Sequence, residues 1–275
     1  MTEFCWVAFT HDDSNDLRTR IDQHEQKYPA QTPSGLISRR TYEIDYLGER
    51  YAEGVDEKRV EDVRLVIYGE LSRSGLAPST AKLAAETGLD PTEVESALAR
   101  LAANRDIVLR RGQIVMAHPF ATIPLGFSVM GRKTLWWGGC AWDSFAIAHL
   151  VPDEPEVLVA TQCPQCGTAH AWQVSREGPP AGSQVAHFLV PTKQIWEDVV
   201  HSCHNQRIFC DSGCVNEWLR STGNESGYEM DLSTLWRLAR GWYAGRLDRG
   251  YVRREPLLAA EYFASVGLRG PFWGL

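Results

Sequence analysis

The first half of the chain carries apolar residues at helical spacing in three successive segments. In the first segment, which starts near residue 58, Val63, Val66, Ile67 and Leu71 fall on one stripe, as in an amphipathic helix. This helix is predicted to stop at Gly75, because glycine favours the left-handed conformation that ends helices. A shorter second helix is predicted to end at residue 88.

The third segment has the strongest helix-start signal in the chain. Asp90 is placed to cap the first turn, with Pro91 at the first helical position and Glu93 completing a capping box. The following IVLRRGQIVM run, residues 107–116, predicts two short strands about a turn at Gly112. Three helices and a hairpin predict a winged helix-turn-helix domain.

We place this winged helix at residues 56–118 and leave residues 1–55 as a poorly determined extension. A winged helix often binds DNA through its recognition helix. From Asp56 to Arg111, however, nine lysines and arginines face ten aspartates and glutamates. Phosphates would also repel the two glutamates at the start of the third helix. We therefore expect a structural role and no nucleic-acid partner, with DNA binding and docking of a protein partner as weaker alternatives.

Residues 119–275 have a different pattern, in which apolar and aromatic residues alternate with cysteines until about residue 219. Near the end, Leu232, Leu235 and Leu238 recur at helical spacing and are followed by Trp242 and Tyr243, which favours a helix packed on the core. The apolar last segment is expected to dock on the body of the protein. The sequence thus predicts an α+β protein with a mixed α/β second domain and a helical C-terminal extension.

Composition narrows the function. The chain has 275 residues and a net charge of −7, which argues against broad attraction to nucleic acid or an anionic membrane. No apolar run has the length of a membrane helix, and the first residues lack a secretory signal, so we expect a cytoplasmic protein. Seven cysteines in such a chain indicate reduced thiols used for metal binding or chemistry.

Cys140 and Asp143 form the first candidate site. Gly138 and Gly139 permit a tight turn, after which residues 141–150 are predicted to be helical, so Cys140 lies at a helix N-terminus and on the same face as Asp143. A thiol and a carboxyl in one small site disfavour each other's ionisation, so a proton could be held between them near neutral pH. The alternative is a buried structural cysteine beside an aspartate that caps the helix.

Four further cysteines have the spacing of a zinc site. Cys163 and Cys166 form a C-x2-C knuckle, and Cys210 with Cys214 could supply the other half of a four-thiolate zinc site. The second pair has one residue more than the usual knuckle, so His170 or His204 could substitute for one thiol, and unligated reduced cysteines are the alternative. If these four bind zinc, Cys203 is left free to act with Cys140.

A free pair of thiols beside an acid permits one particular reaction. Soft sulfur ligands select mercury or a similar ion over magnesium or calcium. If the metal carries a carbon substituent, thiolate coordination weakens the metal–carbon bond and the acid can protonate the departing carbon. Trp137, Trp142 and Phe209 are candidates to line an apolar pocket for the organic group, although core packing is the commoner role for such residues.

The motifs together resemble the alkylmercury lyase family. The resemblance rests on Cys-Ala-Trp-Asp at 140–143, VAHFLVP at 185–191 and Ser-Cys-His-Asn-Gln-Arg-Ile-Phe at 202–209, with a winged helix before them. It implies that Cys140 binds the organomercurial substrate, that Asp143 moves the proton to carbon and that Cys203 completes the thiolate pair around mercury. It also implies an enzyme that needs no organic cofactor.

Two features depart from a minimal lyase. The N-terminal extension and the segment after about residue 225 are longer, and the CPQC and CDSGC thiols are additional. Other interpretations therefore stay open: cleavage of a related carbon–metal or carbon–heteroatom bond, a thiol-rich metal-binding or sensor protein, or a biosynthetic tailoring enzyme that has kept the scaffold and changed the reaction. The natural substrate and the oligomeric state are not encoded in any pattern of the sequence.

Overall fold

The computed structural model describes residues 55–275, which lie within one compact unit, Glu43–Leu275. The extension predicted for residues 1–55 falls outside the described residues except for its last position. No helix among the described residues is both long and apolar enough to cross a lipid bilayer.

Residues 55–275 contain eight α-helices and two short 3-10 helices. The α-helices are α1 Glu57–Ser74, α2 Thr80–Thr87, α3 Pro91–Ala103, α4 Ala141–Leu150, α5 Val199–His204, α6 Ser212–Thr222, α7 Leu232–Trp242 and α8 Pro256–Ser265. The 3-10 helices are Thr192–Glu197 and Pro271–Trp273. Several helices begin where a polar side chain accepts a hydrogen bond from a free backbone N–H group of the first turn, which satisfies a donor that the helix leaves unpaired. These capping residues include Asp56, Ser79, Asp90, Asp211 and Asp231.

The strands of the described region form two antiparallel sheets. In chain order the strands are β1 Val108–Arg110, β2 Gln113–Ala117, β3 Phe120–Ala121, β4 Phe127–Met130, β5 Leu135–Gly138, β6 Glu156–Gln162, β7 Ala169–Ser175, β8 Val185–Phe188, β9 Gln206–Phe209 and β10 Tyr228–Asp231. Seven strands pair in the order β1-β2-β3-β5-β4-β6-β7, and the other three pair as β10-β8-β9. Helices and sheets are interspersed along the chain, so the fold is mixed α+β, as predicted.

The local signals in residues 56–116 are confirmed. Helix α1 ends at Gly75, whose φ of 69° is left-handed, and α3 begins with the capping box in which Asp90 and Glu93 each bond to the other's backbone. Strands β1 and β2 pair about a turn in which Arg111 and Gly112 both have positive φ, as the tight hairpin turn of type I′ requires. Three helices followed by a hairpin are therefore present.

Helix α4 lies at the centre of the molecule. Nine of its ten residues are buried, and it packs against strands of the large sheet on one side and α7 on the other. A helix that is apolar on every side is stable only inside a core. Its N-terminus brings Cys140 and Asp143 into the interior.

The C-terminal residues complete the core. Helix α7 forms as predicted, with Leu235 and Leu238 fully buried. Beyond it, Phe263, Leu268 and Trp273 are also buried, so the prediction that the last segment docks on the body is confirmed. One continuous hydrophobic core extends from α1 to the last 3-10 helix.

Candidate active site

Cys140 is the N-cap residue of α4, as the sequence predicts. Its Sγ accepts a hydrogen bond from the backbone N–H of Asp143 at 3.4 Å, and the residue is 2% exposed. The two preceding residues must be glycines because a side chain at either position would collide with its neighbours, in addition to the tight turn that they form. A Cβ at Gly138 would collide with the side chain of Ser144, and a Cβ at Gly139 would collide with the carboxylate of Asp143.

Asp143 lies on the first turn of α4 and is 1% exposed. Its Oδ1 accepts a hydrogen bond from the hydroxyl of Tyr243, whereas Oδ2 has no hydrogen-bond partner among the described residues. Burial raises the pKa of Asp143 to about 7, and the hydrogen bond from Tyr243 and the neighbouring thiol of Cys140 oppose that rise. Near neutral pH this carboxyl group can therefore either hold or release a proton.

Cys203 reaches the same place from α5, and His118 reaches it from the connection between β2 and β3. The Sγ of Cys203 lies 3.5 Å from Nε2 of His118. One potential ligand atom from each of His118, Asp143 and Cys203 lies within 4.8 Å of the others. Burial lowers the pKa of His118 to about 3, so the imidazole is neutral at physiological pH.

The two thiols face each other closely enough to change each other's ionisation. Burial, followed by a hydrogen bond with Cys203, raises the pKa of Cys140 well above its usual value. The hydrogen bond from Cys140 lowers the pKa of Cys203, but burial and the nearby carboxylates outweigh it, so the net pKa is raised. Both groups are therefore thiols at neutral pH and carry two protons into the site.

These residues line one cavity with an apolar wall. Trp142 and Trp242 are part of that wall, and their ring centroids are 4.8 Å apart. Of the aromatic residues considered from the sequence, Trp142 lines the cavity, whereas Phe209 packs in a small separate core beside Val215. Trp137 is half-buried and is absent from the cavity lining.

The sequence patterns missed His118 and assigned Tyr243 to core packing. Tyr243 is indeed buried, but it also bonds to Asp143, from which it is separated by one hundred residues. Arg246, one turn further on, lines the cavity and donates to the hydroxyl groups of Tyr68 and Tyr251. No spacing rule links residues so far apart, so only the fold reveals these contacts.

The four cysteines of the predicted zinc site converge at a second place. One sulfur from each of Cys163, Cys166, Cys210 and Cys214 lies within 4.8 Å of the others. The Sγ atoms of Cys166 and Cys210 are 3.4 Å apart, and Nε2 of His170 lies 3.5 Å from Cys210. The first pair lies in the β6–β7 connection, and the second lies where β9 leads into α6. His204 is not part of this cluster.

Comparison with known proteins relates the part of the chain that carries the cavity to alkylmercury lyases. Residues 120–244 match the family model described as MerB, alkylmercury lyase, and Cys140, Asp143 and Cys203 all lie within the matched residues. The resemblance inferred from the sequence is thereby confirmed. Among solved structures, the fold is similar to the mercury-bound form of MerB2, with a TM-score of 0.52 and 19% identity over 69% of this chain and 91% of that one. No curated protein matches the chain.

Proposed function

We propose that the protein cleaves a carbon–mercury bond by protonolysis. The proposal rests mainly on the convergence of two buried thiols and one buried carboxyl group, from positions some sixty residues apart, on a single cavity. Two cysteines supply the linear thiolate ligands that mercury favours, and Asp143 supplies a proton carrier with a pKa of about 7. The match of residues 120–244 to a family of lyases supports the same class of reaction.

The reaction balances with the protons that the site holds. The thiol of Cys140 attacks the mercury of R–Hg–X, its proton leaves with X, and an Hg–S bond replaces the Hg–X bond. Asp143 starts in its acid form and delivers its proton to carbon as Cys203 binds the same mercury, and the proton of Cys203 then replaces the one that Asp143 has lost. The electron pair of the broken Hg–C bond forms the new C–H bond. The products are R–H, HX and mercury held by Cys140 and Cys203.

Benzene release from phenylmercury tests this function. We expect the reduced wild-type protein to release one benzene per protein in a single turnover, and the variants Cys140→Ser and Cys203→Ser to lose the activity. Asp143→Asn, which keeps the shape but cannot carry the proton, should bind mercury and release no benzene. Asp153→Asn changes an exposed carboxyl group outside the cavity and serves as the control.

The same experiment separates the alternatives. Wild-type protein that binds phenylmercury and never releases benzene would refute the lyase and leave a thiol-rich binding protein. Protein that neither binds nor cleaves phenylmercury would instead favour a tailoring enzyme built on this scaffold. Because the chemistry requires reduced thiols, we place it in a reducing compartment such as the cytoplasm.

For the four-cysteine cluster we propose a structural zinc site. Four thiolates at about 2.3 Å from a tetrahedral zinc are separated by roughly 3.8 Å, and the cluster already has nearly this size. The pKa of Cys166 is lowered to about 6, first by hydrogen bonds with Thr168, whereas burial raises the pKa of Cys210 and Cys214. Cys166 therefore favours the thiolate form, and the other two thiols would lose their protons on binding the metal. The ion would tie the β6–β7 connection to the start of α6.

Elemental analysis of protein purified without chelator should find about one zinc per chain. Cys210→Ser should lower both the zinc content and the free energy of unfolding. A protein with no zinc and freely titratable cysteines would remove the site without affecting the proposed lyase activity.

The α1–α3 unit and the β1–β2 hairpin fit a winged helix with a structural role. Arg64 on α1 donates to the backbone carbonyl of Arg246 at 2.7 Å, and Tyr68 on the same helix accepts from the Arg246 guanidinium. These contacts support the wall of the cavity. Helix α3 begins with Asp90 and Glu93 and so presents negative charge where DNA phosphates would lie.

A further inference from the structure

The cavity that holds the reacting groups has a cationic side. Arg105, Arg246 and Arg253 all line it. Arg246 is buried and is held by the Tyr68 and Tyr251 hydroxyl groups and the backbone carbonyl of Asp106. It therefore has a fixed structural position. Arg105 is exposed and Arg253 is half-buried, so these two guanidinium groups remain accessible from solvent.

Arg105 and Arg253 converge on the ring of Trp196. Their guanidinium carbons lie 5.6 and 5.8 Å from its centroid, and Trp196 itself lines the cavity. Among residues 55–275, neither arginine has a salt-bridge partner within 4.0 Å or a side-chain hydrogen bond. Two like charges gathered on one aromatic ring, with no acid in direct contact, form a site that favours an anion.

The position of Arg105 follows from the end of α3. Its φ of 62° lies in the left-handed region that commonly ends a helix, and the next N–H group, of Asp106, bonds there to the carbonyl of Leu101. The helix end therefore fixes the point from which the side chain of Arg105 leaves the backbone.

Two acidic residues lie near the arginines and offset part of their charge. An oxygen of Asp106 lies 4.0 Å from Arg246. Burial lowers the pKa of Arg253, and the charges of Asp106 and Glu255 oppose that change. Asp143 is already bonded to Tyr243. Three guanidinium groups thus face two carboxyl groups on their own side. An anionic ligand would supply the missing charge, and a carboxylate can bond two guanidinium groups at once.

We propose that the substrate carries a carboxylate on its organic group, and that this carboxylate binds Arg105 and Arg253 while the metal binds Cys140 and Cys203. The apolar body of the substrate then lies along Trp196 and the neighbouring aromatic wall. This inference rests on the proposed lyase function, for which it names the substrate class. Arg105 and Arg253 determine specificity and take no part in bond cleavage.

A matched pair of substrates tests the inference. We would measure kcat/KM for 4-(hydroxymercuri)benzoate and for its neutral carboxamide analogue, which has nearly the same size. Wild-type protein should prefer the carboxylate by about tenfold or more, an effect of the size that a charge-assisted hydrogen bond gives. The preference should fall about tenfold in Arg253→Gln and in Arg105→Gln, mainly through KM. Arg73→Gln, an exposed arginine on α1, should keep the wild-type preference.

Binding without mercury makes the two proposals separable. Benzoate should quench tryptophan fluorescence and benzamide should not, and the response should be lost in Arg253→Gln. If both mercurials are cleaved equally well and benzoate does not bind, the carboxylate site is refuted and the lyase stands. If benzoate binds through the arginines but no mercurial is cleaved, the lyase fails and the anion site stands.

Discussion

At the scale of single residues, the chemistry depends on how the protein controls protons. Asp143 is buried without a cation in direct contact, which brings the pKa of its carboxyl group to about 7. Burial also keeps Cys140 and Cys203 protonated until mercury displaces their protons. Asp143 can therefore pass its proton to carbon and regain one from a thiol within the range of physiological pH.

The pH dependence of turnover should report the carboxyl group of Asp143. Protonolysis needs the acid form, which is complete below the pKa of about 7 and is lost tenfold per pH unit above it. We expect the single-turnover rate of benzene release to be level at low pH and to fall above pH 7. In Tyr243→Phe, the lost hydrogen bond no longer lowers the Asp143 pKa, so the falling limb should move to higher pH.

Tyr228→Phe is the matched control, because this tyrosine packs against the last 3-10 helix and does not contact Asp143. Its pH profile should equal that of the wild type. A rate that does not fall above pH 7, or a limb that moves to lower pH in Tyr243→Phe, would contradict the assignment of Asp143 as the proton carrier.

At the scale of elements, short local devices place the reacting side chains. The Gly138-Gly139 turn lets β5 lead directly into α4, and the cap at Cys140 directs its thiol toward the first turn. Asp143 follows on that turn. Helix α5 is only six residues long, and it places Cys203 immediately before β9. The second sheet therefore determines the position of one thiol and the buried helix α4 determines the other.

Gly139→Ala should disturb the site by steric collision alone. An added Cβ would meet the Asp143 carboxylate and lie 2.7 Å from the Met116 methyl group. We expect a loss of about 1–3 kcal/mol in the free energy of unfolding and a lower rate of benzene release. Gly178→Ala is the control, because its Cβ would meet no atom within 4 Å. Equal urea midpoints for the two variants would show that the close approach at Gly139 is unimportant.

The limits of prediction from sequence follow from the same elements. Caps, the hairpin and the position of Cys140 depend on neighbouring residues, so local patterns were sufficient for them. For the four-cysteine cluster, the short spacing within the sequence predicted the pair Cys163 and Cys166 and the pair Cys210 and Cys214. His118 and Tyr243 reach Asp143 only through sheet pairing and the packing of α7 on α4. The clustering of the arginines depends on two separate loops, after α3 and between α7 and α8. No periodicity in the sequence records such long-range contacts.

At the scale of the whole molecule, the site is closed by parts of the chain distant in sequence. Tyr243 and Arg246 follow α7, and the last residues pack behind Trp142. Although the chain has a net charge of −7, three arginines line the cavity. The overall charge therefore predicts neither the sign nor the strength of the electric field inside the cavity. An acidic protein can therefore contain a site selective for anions.

The C-terminal segment should be required for both stability and activity. Trp273 is 1% exposed, and its ring lies 4.9 Å from that of Phe263 and 6.3 Å from that of Trp142, measured between centroids. Trp273→Ala should cost about 3–5 kcal/mol of unfolding free energy by leaving a cavity in the core. Because Trp142 lines the site, its loss of support should also lower kcat/KM for the folded protein.

Leu275→Ala, two residues further on at a position 44% exposed, should leave the urea midpoint within the error of the measurement. If Trp273→Ala lowered stability but the folded fraction kept the full kcat/KM, the segment would serve the core alone. A wild-type urea midpoint in Trp273→Ala would show instead that the last residues do not pack on the body in solution. A loss of both unfolding free energy and kcat/KM is expected because the aromatic packing is continuous from the C-terminus to the cavity wall.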